Sequence, residues 1–430
     1  MSALKLIKAC LIVLLLACAS ALHAYSVLTH EEIVDIAWND QIRPLLLKRF
    51  PHLTDDEIRE AHAYAYGGAV IQDLGYYPFG SKEFSDMVHY VRSGDFVEAL
   101  IRESQDANEY AFALGALSHY VADTEGHPAV NRSVGLEFPK LRRKYGPSVT
   151  YNDNPLAHIR TEFGFDVAQV AKERYTGDQY HSFIGFEVAQ SLLERTFPKV
   201  YGVPFKDVIA HEELAIGTYR WSVSSLVPKM TKVAKLVKGN EDTPEKPDHA
   251  RQLFLYHVSR ADYEKEWGTK YRRPGFGSRV LAFFLRLVPK VGPFKALAFR
   301  PPTTQTQDLY FKSINATVNR YRQELHAVNE GRLQLPNLDF DTGKPSEPGE
   351  YALTDKTYAK WLNRLAKQNF AGLTPLVRVN ILDFYADPNA PNATRKDKDD
   401  WKETQAQVQQ LKAWRPTLVE PLSPQAGQAK

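Results

Sequence analysis

The stretch Leu114-Gly-Ala-Leu-Ser-His-Tyr-Val-Ala-Asp123 is almost wholly apolar, and His119 and Asp123 interrupt it at a spacing of four. An apolar run of this length reads as a buried helix, so both side chains project from one face into one place. Gly126 is expected to end that helix, and Pro128 biases His127 away from helical geometry, so that His127 returns to the same pocket from the following turn. A second pair follows. Asn154 can cap a helix with Pro155 at its first position, and inside it His158 and Glu162 again stand four apart on one face. Imidazoles and carboxylates directed inward from facing helices are how helical bundles build metal sites.

Outward from this core the chain keeps the helical period. Residues 42–49, 55–66, 94–103, 108–123, 155–175, 181–195 and 209–236 each carry apolar residues at three-and-four spacing, and strand-like alternation is scarce, so the fold class is all-α. The polar run Gly239 to Asp248, with two prolines, marks a domain boundary. Further helical patterns cover 250–266, 308–327, 356–367 and 398–413, with a Pro/Gly-rich connection from Leu335 to Gly349. The expected organisation is a leader over 1–24, a catalytic domain over 25–238, a helical extension over 249–414 and a disordered tail over 415–430.

The leader is read from Lys5 and Lys8, the apolar run Ala9–Ala17, and small residues at Ala19-Ser-Ala21 and Ala24. That is the plan of a secretory signal peptide, too short for a membrane span, and it predicts export. Two processing routes are open: peptidase cleavage, preferred after Ala24, or lipidation of Cys18 in Leu15-Leu-Ala-Cys18, which would leave a lipid-anchored protein. Cys10 and Cys18 are the two cysteines, so beyond the leader a metal must be held by His, Asp, Glu and backbone. Lys+Arg 54 against Asp+Glu 51 leaves +3 over 430 residues, which disfavours a dedicated nucleic-acid binder. Apolar content of 43% with 24% charged residues excludes a largely disordered chain.

Three further residues join the set: Asp73 in Gly67-Gly-Ala-Val-Ile-Gln-Asp-Leu-Gly75, His89 in Ser85-Asp-Met-Val-His-Tyr90, and His30 in Tyr25-Ser-Val-Leu-Thr-His30. Any one buried histidine is more often a satisfied core residue than a ligand. Burying the whole set without a cation would cost several kcal/mol for each ionised group, about as much as a small domain's entire stability.

The ordered set His30, Asp73, His89, His119, Asp123, His127, His158 and Glu162 resembles the trinuclear zinc site of bacterial phospholipases C and the related single-strand-specific nucleases. The resemblance implies a first zinc on Asp73, His89, His119 and Asp123, a second on His127, His158 and Glu162, and a third on His30, Asp123 and the amino group and carbonyl of the first mature residue. Cleavage after Ala24 makes Tyr25 that residue, where the family usually has Trp. A free amine ligates whereas a mid-chain amide nitrogen ordinarily does not, which is why cleavage after Ala24 is preferred. The resemblance also gives Asp73 a second role as general base. It implies hydrolysis of the glycerol-side phosphoester of a phospholipid; a single-strand nuclease and a non-catalytic, metal-stabilised binding protein are the alternatives.

Other features are read as structural. His211 in His-Glu-Glu213 lacks the second histidine of a zinc-protease helix, since Ala215 stands four residues on. His62, His181, His249, His257 and His326 have no acidic or histidine partner at useful spacing, and Lys140-Leu-Arg-Arg-Lys144 is a solvated face. Val280 to Phe299 mixes apolar residues with Arg286, Lys290 and Lys295; a hairpin over the catalytic domain is preferred, with peripheral membrane contact as the alternative.

Overall fold

A computed structural model describes residues 27–171, 185–223 and 300–415, with the side chains of 167–171 left aside. The leader, Tyr25, the 239–248 boundary, the 250–266 helix, His181, His249, His257, Val280–Phe299 and the tail from 416 lie outside the described residues.

Among the described residues the secondary structure is helical, with one isolated β-bridge between Leu338 and Pro345. In chain order the helices are α1 (Val27–Ala37), α2 (Arg43–Arg49), α3 (Asp55–Gly68), α4 (Lys82–Tyr90), α5 (Ser93–Glu103), α6 (Ala107–Glu137), α7 (Pro139–Tyr145), α8 (Pro155–Ala171), α9 (Gln190–Tyr201), α10 (Phe205–Val208), α11 (Glu212–Trp221), α12 (Thr304–Asn329), α13 (Ala352–Lys367), α14 (Pro375–Phe384) and α15 (Lys398–Ala413). Local chemistry sets several starts. Thr54 and Glu57 form a reciprocal capping box at α3, and the Asn154 side chain accepts from the Ala157 N–H at α8, where Pro155 occupies the first position.

The central element is α6, around which α1, α3, α5, α8 and α12 pack. It differs from the sequence expectation: the helix does not stop at Gly126 but runs through Pro128 to Glu137. A helix interior tolerates glycine at about 1 kcal/mol and proline at about 3 kcal/mol, and burial of Val130 and Val134 beyond them returns roughly 1.5–3 kcal/mol each. His127 therefore stays in the helix, and His119, Asp123 and His127 form one continuous i, i+4, i+8 row.

Two glycines let α3 and α6 approach backbone to backbone. A Cβ on Gly115 would lie 2.1 Å from the Ala65 carbonyl oxygen, and one on Gly68 would lie 1.9 Å from that of Phe112. The C-terminal helices join the same apolar core, with Tyr310, Phe311, Ile314, Val318, Tyr321 and Leu325 of α12 buried in it and Trp361 and Leu365 of α13 extending it. The Pro/Gly-rich connection between α12 and α13 runs back over the α4–α5 corner: Ser93 Oγ donates to the Leu338 carbonyl at 2.6 Å, and Tyr120 donates to that of Pro336 at 2.8 Å. No helix among the described residues is long and apolar enough to cross a membrane.

Candidate metal centre

Five elements deliver the eight described candidates. His30 comes from α1, Asp73 from the 3-10 turn Ile71–Tyr76, His89 from α4, His119, Asp123 and His127 from α6, and His158 and Glu162 from α8. Each is at most 3% exposed, so none keeps its hydration shell. The α1 end is fixed by Asp166 of α8, which accepts from Thr29 Oγ1 at 3.0 Å and from the Leu28 N–H at 3.3 Å. This contact draws His30 over α6, where its ring stacks on His119 at 4.4 Å.

Asp123 is the hub. Its Oδ1 stands 3.4 Å from His30 Nε2 and 3.9 Å from His127 Nε2, while its Oδ2 stands 3.0 Å from His119 Nε2 and 3.6 Å from His89 Nε2. Asp73 Oδ1 lies 3.3 Å from His89 Nε2, and Glu162 Oε1 lies 2.7 Å from His158 Nε2 and 3.8 Å from His127 Nε2. Three groups with converging ligand atoms result: His30, His119 and Asp123; Asp73, His89 and His119; and His127, His158 and Glu162.

These atoms face one another without pairing in hydrogen-bond geometry. His119 Nε2, His158 Nε2, Asp73 Oδ1 and both carboxylate oxygens of Asp123 and Glu162 are buried with no hydrogen-bond partner. So many orphaned lone pairs in one place are costly unless a cation collects them. Two N or O atoms on one tetrahedral zinc stand about 3.3–3.5 Å apart at zinc–ligand bonds of about 2.0–2.2 Å, close to most of the separations here. The donor set, imidazole and carboxylate without thiolate, fits zinc.

Tautomers are set from outside. His89 Nδ1 lies 2.8 Å from the Ser85 carbonyl and His119 Nδ1 lies 2.9 Å from that of Ala69. A carbonyl only accepts, so each Nδ1 carries the proton and a neutral ring presents its Nε2 lone pair to the centre. Without metal, the centre divides into opposing states. Burial pushes His158 down to about 3 and, with His119 beside it, holds His30 well below its usual value. Burial also works against charge on His89 and His127, but carboxylates overrule it: Asp123 and Asp73 raise His89 to about 10, and Asp123 with Asp341 raises His127 to about 9. Asp123 is pressed upward by burial yet ends well below the ordinary carboxylate range because His119 and His127 face it, whereas burial keeps Glu162 well above.

Residues 29–209 match the family model described as zinc-dependent phospholipase C. Over that segment the chain is similar to zinc-dependent phospholipases C. That family consists of phosphodiester hydrolases, so the domain is that of a zinc-dependent enzyme, and all eight described candidates fall inside its bounds. No curated protein and no solved structure matches the chain.

His62, expected to have no partner at useful spacing, is paired through Nε2 with Asp35 at 2.9 Å, from another helix, and stacks on Trp38 at 3.7 Å as a core histidine. His326 also has an acidic neighbour, Glu330 four residues on, at 3.5 Å on an exposed turn. His211 is exposed at the start of α11, and Lys140, Arg142, Arg143 and Lys144 are exposed on α7. Sequence reasoning passed over Asp341, 3.1 Å from His127 Nδ1, and Phe340, whose ring is 4.9 Å from that of His89. Both lie in the 335–349 connection, where the turn signal Asp339-Phe-Asp-Thr-Gly343 carries no helical period.

Proposed function

We propose that the domain is an exported phosphodiesterase of the phospholipase C type working with three zinc ions on a phospholipid. The observation that carries this reading is Asp123, whose two oxygens face histidines of different groups as a bridging carboxylate must. The ligand sets are Asp73, His89, His119 and Asp123 for one ion, His127, His158 and Glu162 for the second, and His30, Asp123 and the Tyr25 amine and carbonyl for the third. His30 stands five residues after Tyr25 in the chain. Processing after Ala24 makes Tyr25 the terminus, and N-terminal sequencing of the mature chain checks it.

Zinc in such a site supplies Lewis acidity toward a phosphoryl oxygen and lowers the pKa of water to about 7. The chain supplies the rest. Carbonyl-fixed His89 and His119 hold their rings in place, buried Asp73 accepts the proton of the attacking water, and the helical walls exclude competing solvent. Water adds at phosphorus, the glycerol-side P–O bond breaks and the departing oxygen takes up a proton equivalent to the one Asp73 accepted, releasing diacylglycerol and a phosphorylated head group. Peripheral contact of Val280–Phe299 with the bilayer would present the substrate.

The zinc-loaded protein assayed side by side on phosphatidylcholine vesicles and single-stranded DNA tests the reading, with His119→Ala as control. Activity on the lipid that is lost with chelator and restored by zinc is expected; turnover of DNA alone would make the protein a nuclease. Unchanged vesicle flotation after Phe283→Ser with Phe284→Ser removes the membrane contact.

A further inference from the structure

Beyond the family-matched segment, the connection between α12 and α13 reaches the metal centre. Asp339 shapes its turn, accepting from the Thr342 N–H at 2.8 Å and from the Thr342 hydroxyl, while the Gly343 N–H donates to the Asp339 carbonyl at 2.9 Å. Gly343, with φ +69°, sits against α6 where a Cβ would be 2.4 Å from the Thr124 carbonyl. That carbonyl is the one Pro128 leaves without its helical donor, so the irregular point of α6 is where the turn docks. The Phe340 N–H donates to the His89 carbonyl at 3.2 Å.

The turn carries Asp341 inward. Its Oδ2 accepts from Tyr90 at 3.0 Å and from Tyr351, its backbone carbonyl accepts from Asn131 Nδ2 at 2.7 Å, and Tyr351 in turn accepts from the Asn152 N–H at 3.1 Å. Four residues from α4, α6, the α7–α8 connection and the start of α13 thus fix one buried carboxylate. Its other oxygen, Oδ1, lies 3.1 Å from His127 Nδ1 as an ion-pair contact outside hydrogen-bond geometry, on the side of the ring away from Asp123 and Glu162. His89 and His119 have backbone carbonyls at Nδ1; His127 has this side chain instead.

We propose that Asp341 is a positioning residue of the metal centre: it keeps the proton of His127 on Nδ1 and the ring turned so that Nε2 meets Glu162 and Asp123. The chain beyond the family-matched segment therefore completes the site. This rests on the zinc reading above. A carboxylate behind a ligating histidine fixes tautomer and orientation and raises ligand basicity, and its loss typically costs about 10–100-fold in metal affinity.

The experiment uses the full mature chain and its Asp341→Asn and Asp341→Ala variants, each loaded with zinc or cobalt(II). Asp341→Asn keeps an acceptor for Tyr90 and Tyr351, so it guards against a variant that merely fails to fold; circular dichroism verifies this. The amide can present N–H to His127 Nδ1, which would drive the ring proton to Nε2. The expected result is that both variants release one metal equivalent to a competing chelator about 10–100-fold more readily than the parent. The cobalt d–d spectrum of that equivalent changes, and kcat falls with KM little altered. Equal retention of every equivalent with an unchanged cobalt spectrum, whatever happens to melting temperature, would overturn the proposal alone. A parent protein that binds neither metal would overturn the zinc reading and this proposal with it.

Discussion

His119 Nδ1 lies 2.9 Å from the carbonyl oxygen of Ala69, fifty residues away, across the contact where Gly115 of α6 meets Ala65 of α3. The ring's orientation thus depends on two backbones approaching closer than any side chain allows. Gly115→Ala should destabilise the protein by about 1–3 kcal/mol through overpacking and lower its zinc content. Gly217→Ala, at an exposed position of α11 with open space at the Cβ, should be neutral or gain up to about 1 kcal/mol. Urea unfolding with metal analysis distinguishes the two; equal effects would refute the packing account.

The bridging role proposed for Asp123 has a stoichiometric consequence. Asp123→Asn leaves one oxygen where two are needed and should cost more than one zinc equivalent, with activity down by at least about 100-fold. Loss of a single equivalent would show that Asp123 serves one ion only. His211→Ala, at an exposed position outside the centre, should retain full zinc content.

Zinc and protons compete at His89 and His127. With folded values of about 10 and about 9, both are charged at neutral pH in metal-free protein, and ligation requires them neutral. Zinc loading at pH 7 should release at least about two protons, more if Glu162 also gives one up, measurable by calorimetry in buffers of differing ionisation enthalpy. Both values lie above 6.5, so their contribution to metal-free stability is complete below about pH 6.5 and is lost as pH rises through about 9 and about 10. The metal-free melting temperature should therefore drop between pH 7 and pH 10 more than that of the zinc-loaded form.

Glu137 at the end of α6 behaves in the opposite chemical sense. Burial raises it from 4.5 to about 7 despite the Thr161 hydroxyl, which donates to its Oε2 at 2.9 Å. An acid with a raised folded value destabilises the fold as pH climbs from 4.5 through 7, because the folded state binds the proton more tightly. Glu137→Gln should raise stability by about 1–3 kcal/mol at pH 8 and change little at pH 4.5. Thermal melts at both pH values check this, and a loss at pH 8 would contradict the burial argument.

Much of this centre was legible along the chain because a helix converts spacing into direction: His119 with Asp123, and His158 with Glu162, share a face by period alone. The same reasoning failed at Gly126 and Pro128, where local preference argues for a helix end and the buried Val130 and Val134 overrule it. It failed also at His62, whose Asp35 partner stands on another helix.

The sequence by itself determined the helical class, the cysteine-free ligand chemistry and the order of eight of the side chains, since these follow from composition and local periodicity. Only the tertiary structure decided that Asp123 turns one oxygen to each neighbouring group, that Ala69 and Ser85 fix two tautomers, and that Asp341 arrives behind His127. Those contacts join residues up to more than two hundred positions apart, and no period of a single helix encodes which distant backbone or turn its face will meet.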